Sequence, residues 1–150
     1  ANLDIRGAER PVAIYGLEER TVSQISFNDI RSFSDKGVLL ENVSEISFHD
    51  MEMEIAGGSP IEAKDSHDIS WDKVGVTSPL NNFPYLVLAN CQNVRVTNCY
   101  QPEILNNFVM LDEKCNNIYL LNNILPHTIL PNRKKSKNII TGNNITAKPL

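Results

Sequence analysis

An apolar pattern that returns every 21 to 25 residues, a short β-rich run between its copies, and two columns of Asn and Asp predict an all-β fold, a single-stranded parallel β-helix of about six rungs. The template has a small or apolar residue, apolar residues three and five places on, and another about eight on. It matches Val22-Ile25-Phe27-Ile30, Val43-Ile46-Phe48-Met51, Ser66-Ile69-Trp71-Val74, Cys91-Val94-Val96-Cys99, Cys115-Ile118-Leu120-Asn123 and Ser136-Ile139-Thr141-Asn144. Its second member falls at 25, 46, 69, 94, 118 and 139, so the steps are 21, 23, 25, 24 and 21 residues.

The first strand of each rung is the run between templates. Val12 to Tyr15, Val38 to Leu40, Ile61 to Ala63, Tyr85 to Leu88, Phe108 to Leu111 and Thr128 to Leu130 are rich in β-formers, commonly with Gly or Pro just before them. A second strand spans Ile46 to Phe48, and a third Met51 to Ile55, with counterparts at Ile30 to Phe33 and Val74 to Val76. Alternation turns Ile46 and Phe48 inward and Ser47 outward, and like residues stack at about 4.8 Å per rung. Asn2 to Ile5 reads as the tail of an earlier rung.

Polar columns mark the bends. Gln24, Glu45, Asp68, Asn93, Asn117 and Asn138 precede the second strand, and Asp29, Asp50, Lys73, Asn98, Asn122 and Asn143 follow it. Asn and Asp tolerate left-handed backbone angles and bond to their own main chain, as a tight bend requires. The sequons at Asn42 and Asn144 are by-products of this richness. Longer insertions gather at one place in the repeat, Thr77 to Pro84 and Tyr100 to Asn107, and in solenoids such a place is often the binding face. Pro131 to Lys137 interrupts the pattern before a last, weakly packing rung at Ile139 to Ile145.

A leucine-rich repeat is the rival architecture, because Cys91 to Cys99 nearly satisfies its spacing. That fold wants a helical turn where this chain has β-rich runs such as Pro84 to Ala89, so the β-helix is preferred.

The bulk properties narrow the function. The chain has 150 residues, 41% of them hydrophobic, and reads as one domain spanning 1–150, the C-terminal part of a longer β-helix. A net charge of -4 argues against a nucleic-acid groove, and Arg133 to Lys135 with Lys137 reads as a solvated loop. No stretch approaches a membrane span, and none reads as a signal peptide. Cys91, Cys99 and Cys115 lack CxxC spacing and read as small buried hydrophobes, implying neither disulfide nor zinc.

The run Gly7 to Arg20, with its Arg10-Pro11 and Gly16-Leu17-x-Glu19-Arg20 words, followed by Ile25 to Ile30 and by Gly37 to Val74, resembles the late rungs of polygalacturonase-type enzymes, glycoside hydrolase family 28. The resemblance implies a right-handed parallel β-helix that hydrolyses galacturonan or related pectic linkages with inversion, in a secreted or periplasmic setting. It also implies four catalytic words: Asn-Thr-Asp, Asp-Asp, Gly-His-Gly and Arg-x-Lys. The first three do not occur here, and Arg-x-Lys is met only by Arg133-Lys134-Lys135 within the basic run read above as a solvated loop, so without the carboxylate words no catalytic residue carries over and the segment is expected to be inactive alone.

No other residues supply the chemistry convincingly. Asp29 and Asp50 share a column about 4.8 Å apart on a convex corner, closer than the roughly 6.5 to 9.5 Å that inverting hydrolysis wants. His49, beside Asp50 and between Asn28 and Asp72 in its column, and the His67-Asp68 pair invite an acid/base reading. The same two places hold Asn28-Asp29, Asp72-Lys73 and Thr97-Asn98, which is the tolerance of a bend. Phe83 and Tyr100 are the candidate sugar-stacking residues, whereas Tyr85, Phe108 and Trp71 belong to the core. No metal site and no cofactor is expected. The expected partner is a pectic polysaccharide, with self-association through the uncapped N-terminal rung. The alternative function is a non-catalytic β-helical module that binds carbohydrate or protein.

Overall fold

The computed structural model describes residues 2–77, 83–100, 108–124 and 137–145, and the described residues form strands and no helix. In chain order the strands are β1 (Leu3–Ala8), β2 (Ala13–Tyr15), β3 (Val22–Ser34), β4 (Val38–Glu41), β5 (Val43–Ile55), β6 (Ile61–Lys64), β7 (His67–Thr77), β8 (Leu86–Ala89), β9 (Gln92–Thr97), β10 (Val109–Leu111), β11 (Asn116–Leu121) and β12 (Lys137–Gly142). One sheet runs β1-β3-β5-β7-β9-β11-β12 and the other β10-β8-β6-β4-β2. Every neighbouring pair is parallel. The chain alternates between the sheets, so five turns contribute a strand to each, from β2 with β3 to β10 with β11. This is a right-handed parallel β-helix, the hand that parallel crossovers take almost always. A leucine-rich repeat is excluded, since the second wall is a sheet. The expected strand over Thr128 to Leu130 lies outside the described residues.

The register is the one the repeat requires. Ile25, Ile46, Ile69, Val94, Ile118 and Ile139 are successive partners, and so are Phe27, Phe48, Trp71, Val96, Leu120 and Thr141. Three rings of the second column stack, with centroids 4.8 Å apart from Phe27 to Phe48 and 4.0 Å from Phe48 to Trp71. Burying each such side chain contributes about 1.5–3 kcal/mol, which makes these columns the main cohesive term between turns. Tyr85 and Phe108 form a second buried stack at 4.9 Å, and the Tyr85 hydroxyl donates to the Val74 carbonyl at 2.9 Å. One large polar side chain enters the interior among the C-terminal turns. Asn123 is fully buried, where it accepts from the Cys99 N–H and donates to the Val96 carbonyl.

All twelve residues of the two polar columns have positive φ, between 52° and 62°. A third such column, Asn42, Asp65 and Asn90, bends the chain between first and second strands and is absent from the expectation above. The second and third strands differ from expectation in another way. They belong to one ladder, because a single left-handed residue at Asp29 or Asp50 kinks β3 and β5 without ending the pairing, which resumes at Ile30 with Met51. Side chains extend the ladder outside, where Asn138 donates to Asn117, Asn117 to Asn93, and Asn93 to Asp68, at 3.2, 3.0 and 3.0 Å.

The words that carry the family resemblance are structural. Arg10 donates to the Gly37 carbonyl at 3.1 Å and pairs with Glu62 at 3.5 Å, stitching the first three turns. Leu17 and Arg20 exchange two backbone hydrogen bonds of 3.0 Å around a tight turn. A Cβ on Gly16 would lie 2.0 Å from the Asn42 carbonyl oxygen, so only glycine fits.

Candidate functional site

Along the third-strand face, inward Met51, Met53, Val74 and Val76 alternate with outward residues. Two outward columns result. Arg31, Glu52, Gly75 and Tyr100 are successive partners, as are Phe33, Glu54 and Thr77. Gly75 leaves a gap in the first column, and a Cβ placed there would have no atom within 4 Å. The gap opens a depression of about 350 Å³ whose walls are Arg31, Phe33, Glu52, Glu54, Thr77 and Tyr100. Its floor is the main chain around Gly75, since Met53 and Val76 turn their side chains inward.

Tyr100 is held in place by its backbone. Its N–H donates to the Val74 carbonyl at 3.1 Å and its carbonyl accepts from Val76 at 3.3 Å, leaving the side chain 47% exposed beside the gap. Thr77 and Tyr100 are also the first residues of the two long insertions, so the depression lies at the root of both. Phe83 is exposed at 43% but does not line it. The remaining insertion residues, 78–82 and 101–107, lie outside the described residues.

Glu52 and Glu54 face outward two residues apart on β5, a Cα spacing of about 6.6 Å, near the lower limit for inverting glycoside hydrolysis. Spacing alone does not make a catalytic pair, because a proton donor at neutral pH needs an apolar pocket. Glu52 has none: its side chain is 75% exposed and lies 3.6 Å from Arg31. Two corner carboxyls, Asp68 and Asp72, shift the wrong way for an acid. Hydrogen bonds from His67 and Asn93 hold Asp68 below the ordinary carboxylate value. Burial pushes Asp72 up, but hydrogen bonds from Asn98, Thr97 and His49 outweigh it and leave that carboxyl lowered.

His49 stacks between Asn28 and Asp72 as the repeat predicts. Its Nδ1 lies 2.9 Å from Asp72 and its Nε2 3.9 Å from Asp50, and Asp72 also accepts from Thr97 at 2.8 Å and Asn98 at 2.6 Å. This is a cross-turn hydrogen-bond ladder on a corner, with His49 44% exposed. Asp29 and Asp50 border a second depression with Asp4, Glu52 and Arg31. Among the described residues, no three His, Cys, Asp or Glu side chains group as metal ligands do.

No protein-family model matches the chain, and no curated protein matches its sequence. Among solved structures it is similar to a putative glycosyl hydrolase from Parabacteroides merdae ATCC 43184, with a TM-score of 0.52 and 13% identity, over 97% of this chain and 73% of that one. The likeness is one of fold. The polygalacturonase resemblance therefore rests on the words quoted above, which serve backbone geometry here.

Sequence reasoning reached Tyr100 but missed the surface around it. Arg31, Phe33, Glu52, Glu54 and Gly75 attract no notice singly. Stacking the third strands in register, however, exposes Gly75 as the one missing side chain between Glu52 and Tyr100.

Proposed function

We propose that this chain belongs to a β-helical glycoside hydrolase of the polygalacturonase or pectinase type, acting on pectic polysaccharide outside the cytoplasm. The described residues bind the polysaccharide and do not cleave it. The observation that carries the reading is the Gly75 depression, walled by Tyr100 at the root of both insertions. An exposed tyrosine ring presents an apolar face to a sugar ring and a hydroxyl to its substituents. The fold shared with a putative glycosyl hydrolase supports the class, and the exposed state of Glu52 supports binding without hydrolysis.

The test has two parts. The purified 150-residue chain should release no reducing sugar from pectin or polygalacturonate, and release would overturn the non-catalytic half. Pectic oligosaccharides should perturb the amide signals of Gly75, Thr77 and Tyr100, with affinity falling about tenfold, or ~1.4 kcal/mol, in Tyr100→Ala. Equal affinity of that variant would remove the site.

Assembly is a second reading, favoured by the first turn. Val22, Ile25 and Phe27 are only half-buried, whereas their partners Val43, Ile46 and Phe48 are fully buried. One face of the Phe27 ring is left without a stacking partner among the described residues. We propose that the isolated 150-residue chain self-associates through this end, and a strictly monomeric mass by light scattering at millimolar concentration would refute it.

A further inference from the structure

We infer that the Gly75 groove selects uncharged sugar residues over uronates, an inference that rests on the glycan reading above. The charges around the groove are unevenly satisfied. Arg31 is engaged by Glu52 at 3.6 Å. Arg6, over the Phe33 ring at 5.4 Å, is engaged by Asp4 through hydrogen bonds of 3.1 to 3.3 Å. Glu54 has no hydrogen-bond or ion-pair partner among the described residues, and it sits one rung from Thr77 in the groove wall. Among the described residues, the groove thus carries one uncompensated negative charge.

Hydrogen-bonding capacity points the same way. Ionised carboxylates only accept, and the floor is main chain whose strand N–H groups are spent in the ladder. Glu52 and Glu54 therefore call for a ligand that donates, which sugar hydroxyls do. A uronate carboxylate also only accepts, and would lie within a Debye length of Glu54, where like charges repel with little screening. The geometry suits one ring. With Gly75 between them, Glu52 and Tyr100 are two rungs apart, about 9.6 Å, enough for a pyranose stacked on the tyrosine with its hydroxyls reaching Glu52.

Uncharged pyranose units in pectin come from neutral galactan side chains or from methyl-esterified galacturonan, and the test separates them. The full 150-residue chain is titrated, following amide signals, with a galactan oligosaccharide, a methyl-esterified oligogalacturonide and an unesterified one of equal length. At least one uncharged oligosaccharide should bind, with the unesterified acid about tenfold weaker. Whichever uncharged form binds identifies the source. Glu54→Gln, which removes the charge from the groove wall, should bring the affinities of the uncharged and acid forms to within about twofold of each other, and a tenfold preference that survives the substitution would overturn the inference. An acid form that binds wild type as tightly as the uncharged forms overturns the inference and leaves the glycan reading standing. Binding of none of the three overturns the glycan reading, and this inference with it.

Discussion

Gly37→Ala isolates how closely successive turns approach. A Cβ at Gly37 would lie 2.0 Å from the Pro60 carbonyl oxygen, 2.4 Å from its carbon and 2.6 Å from its Cα, all backbone atoms of the next turn. Ordinary contact begins near 3.4 Å, so the two turns must separate by about 1.4 Å at this corner, which overpacking data put at about 1–3 kcal/mol. The same movement stretches the 2.8 Å bond from the Val38 N–H to the Pro60 carbonyl, worth about 1 kcal/mol more. The expected loss is about 3 kcal/mol. Trp71, the single tryptophan, lies buried in the aromatic stack and reports unfolding by fluorescence in urea. Gly75→Ala is the control, because its Cβ meets nothing within 4 Å. A Gly37→Ala midpoint equal to that of wild type would refute the close-approach argument.

Other outcomes follow from the corners and the interior. Lys73 holds φ of 53° without the side-chain acceptor that lets Asn or Asp adopt such angles, so Lys73→Asn should raise stability by about 0.5–1 kcal/mol, and an unchanged denaturation midpoint would count against it. Burial pushes the Cys91 thiol to about 12 and those of Cys99 and Cys115 to about 11. At pH 8 a disulfide reagent should therefore label none of the three until urea unfolds the chain, and prompt labelling of the native protein would contradict the assigned burial. For Asp72, whose carboxyl is depressed on folding, the stabilisation is complete above the ordinary value near 3.9 and is lost as pH falls through the lower folded value. Asp72→Asn should thus be less stable than wild type at pH 7, with the gap closing as the pH falls through the lowered folded value, which denaturation midpoints measured into the acid range will show.

The fold was legible because its determinants are local and repeated. Ile25, Ile46 and Ile69 announce an inward column by spacing alone, and Asp29, Asp50 and Asn98 announce a bend because few residues tolerate φ near 55°. The corner at Asn42, Asp65 and Asn90 follows the same rule one residue before the template and was within reach. The groove was not legible in this way. It depends on what a glycine lacks, and the lack of a side chain at Gly75 means something only once Glu52 and Tyr100 are known to lie on either side. The aromatic expectation divided accordingly: Tyr100 lies on the groove, Phe83 away from it, and Tyr85 and Phe108 in the core.

The half-covered first turn has a consequence for how the molecule comes apart. Each bend is set by its own residue and each turn touches only the next, so unfolding proceeds as fraying from an end instead of a single collapse. In the isolated 150-residue chain, Phe27 has a stacking partner on one side only among the described residues, and amide exchange around it should be faster than around Phe48. Glu52 and Gly75 sit on turns with neighbours above and below. Arg31 and Phe33, however, wall the groove from β3, the strand that carries the outer turn, so fraying of that turn opens the groove on one side and ligand binding should be lost on heating before most of the β-content.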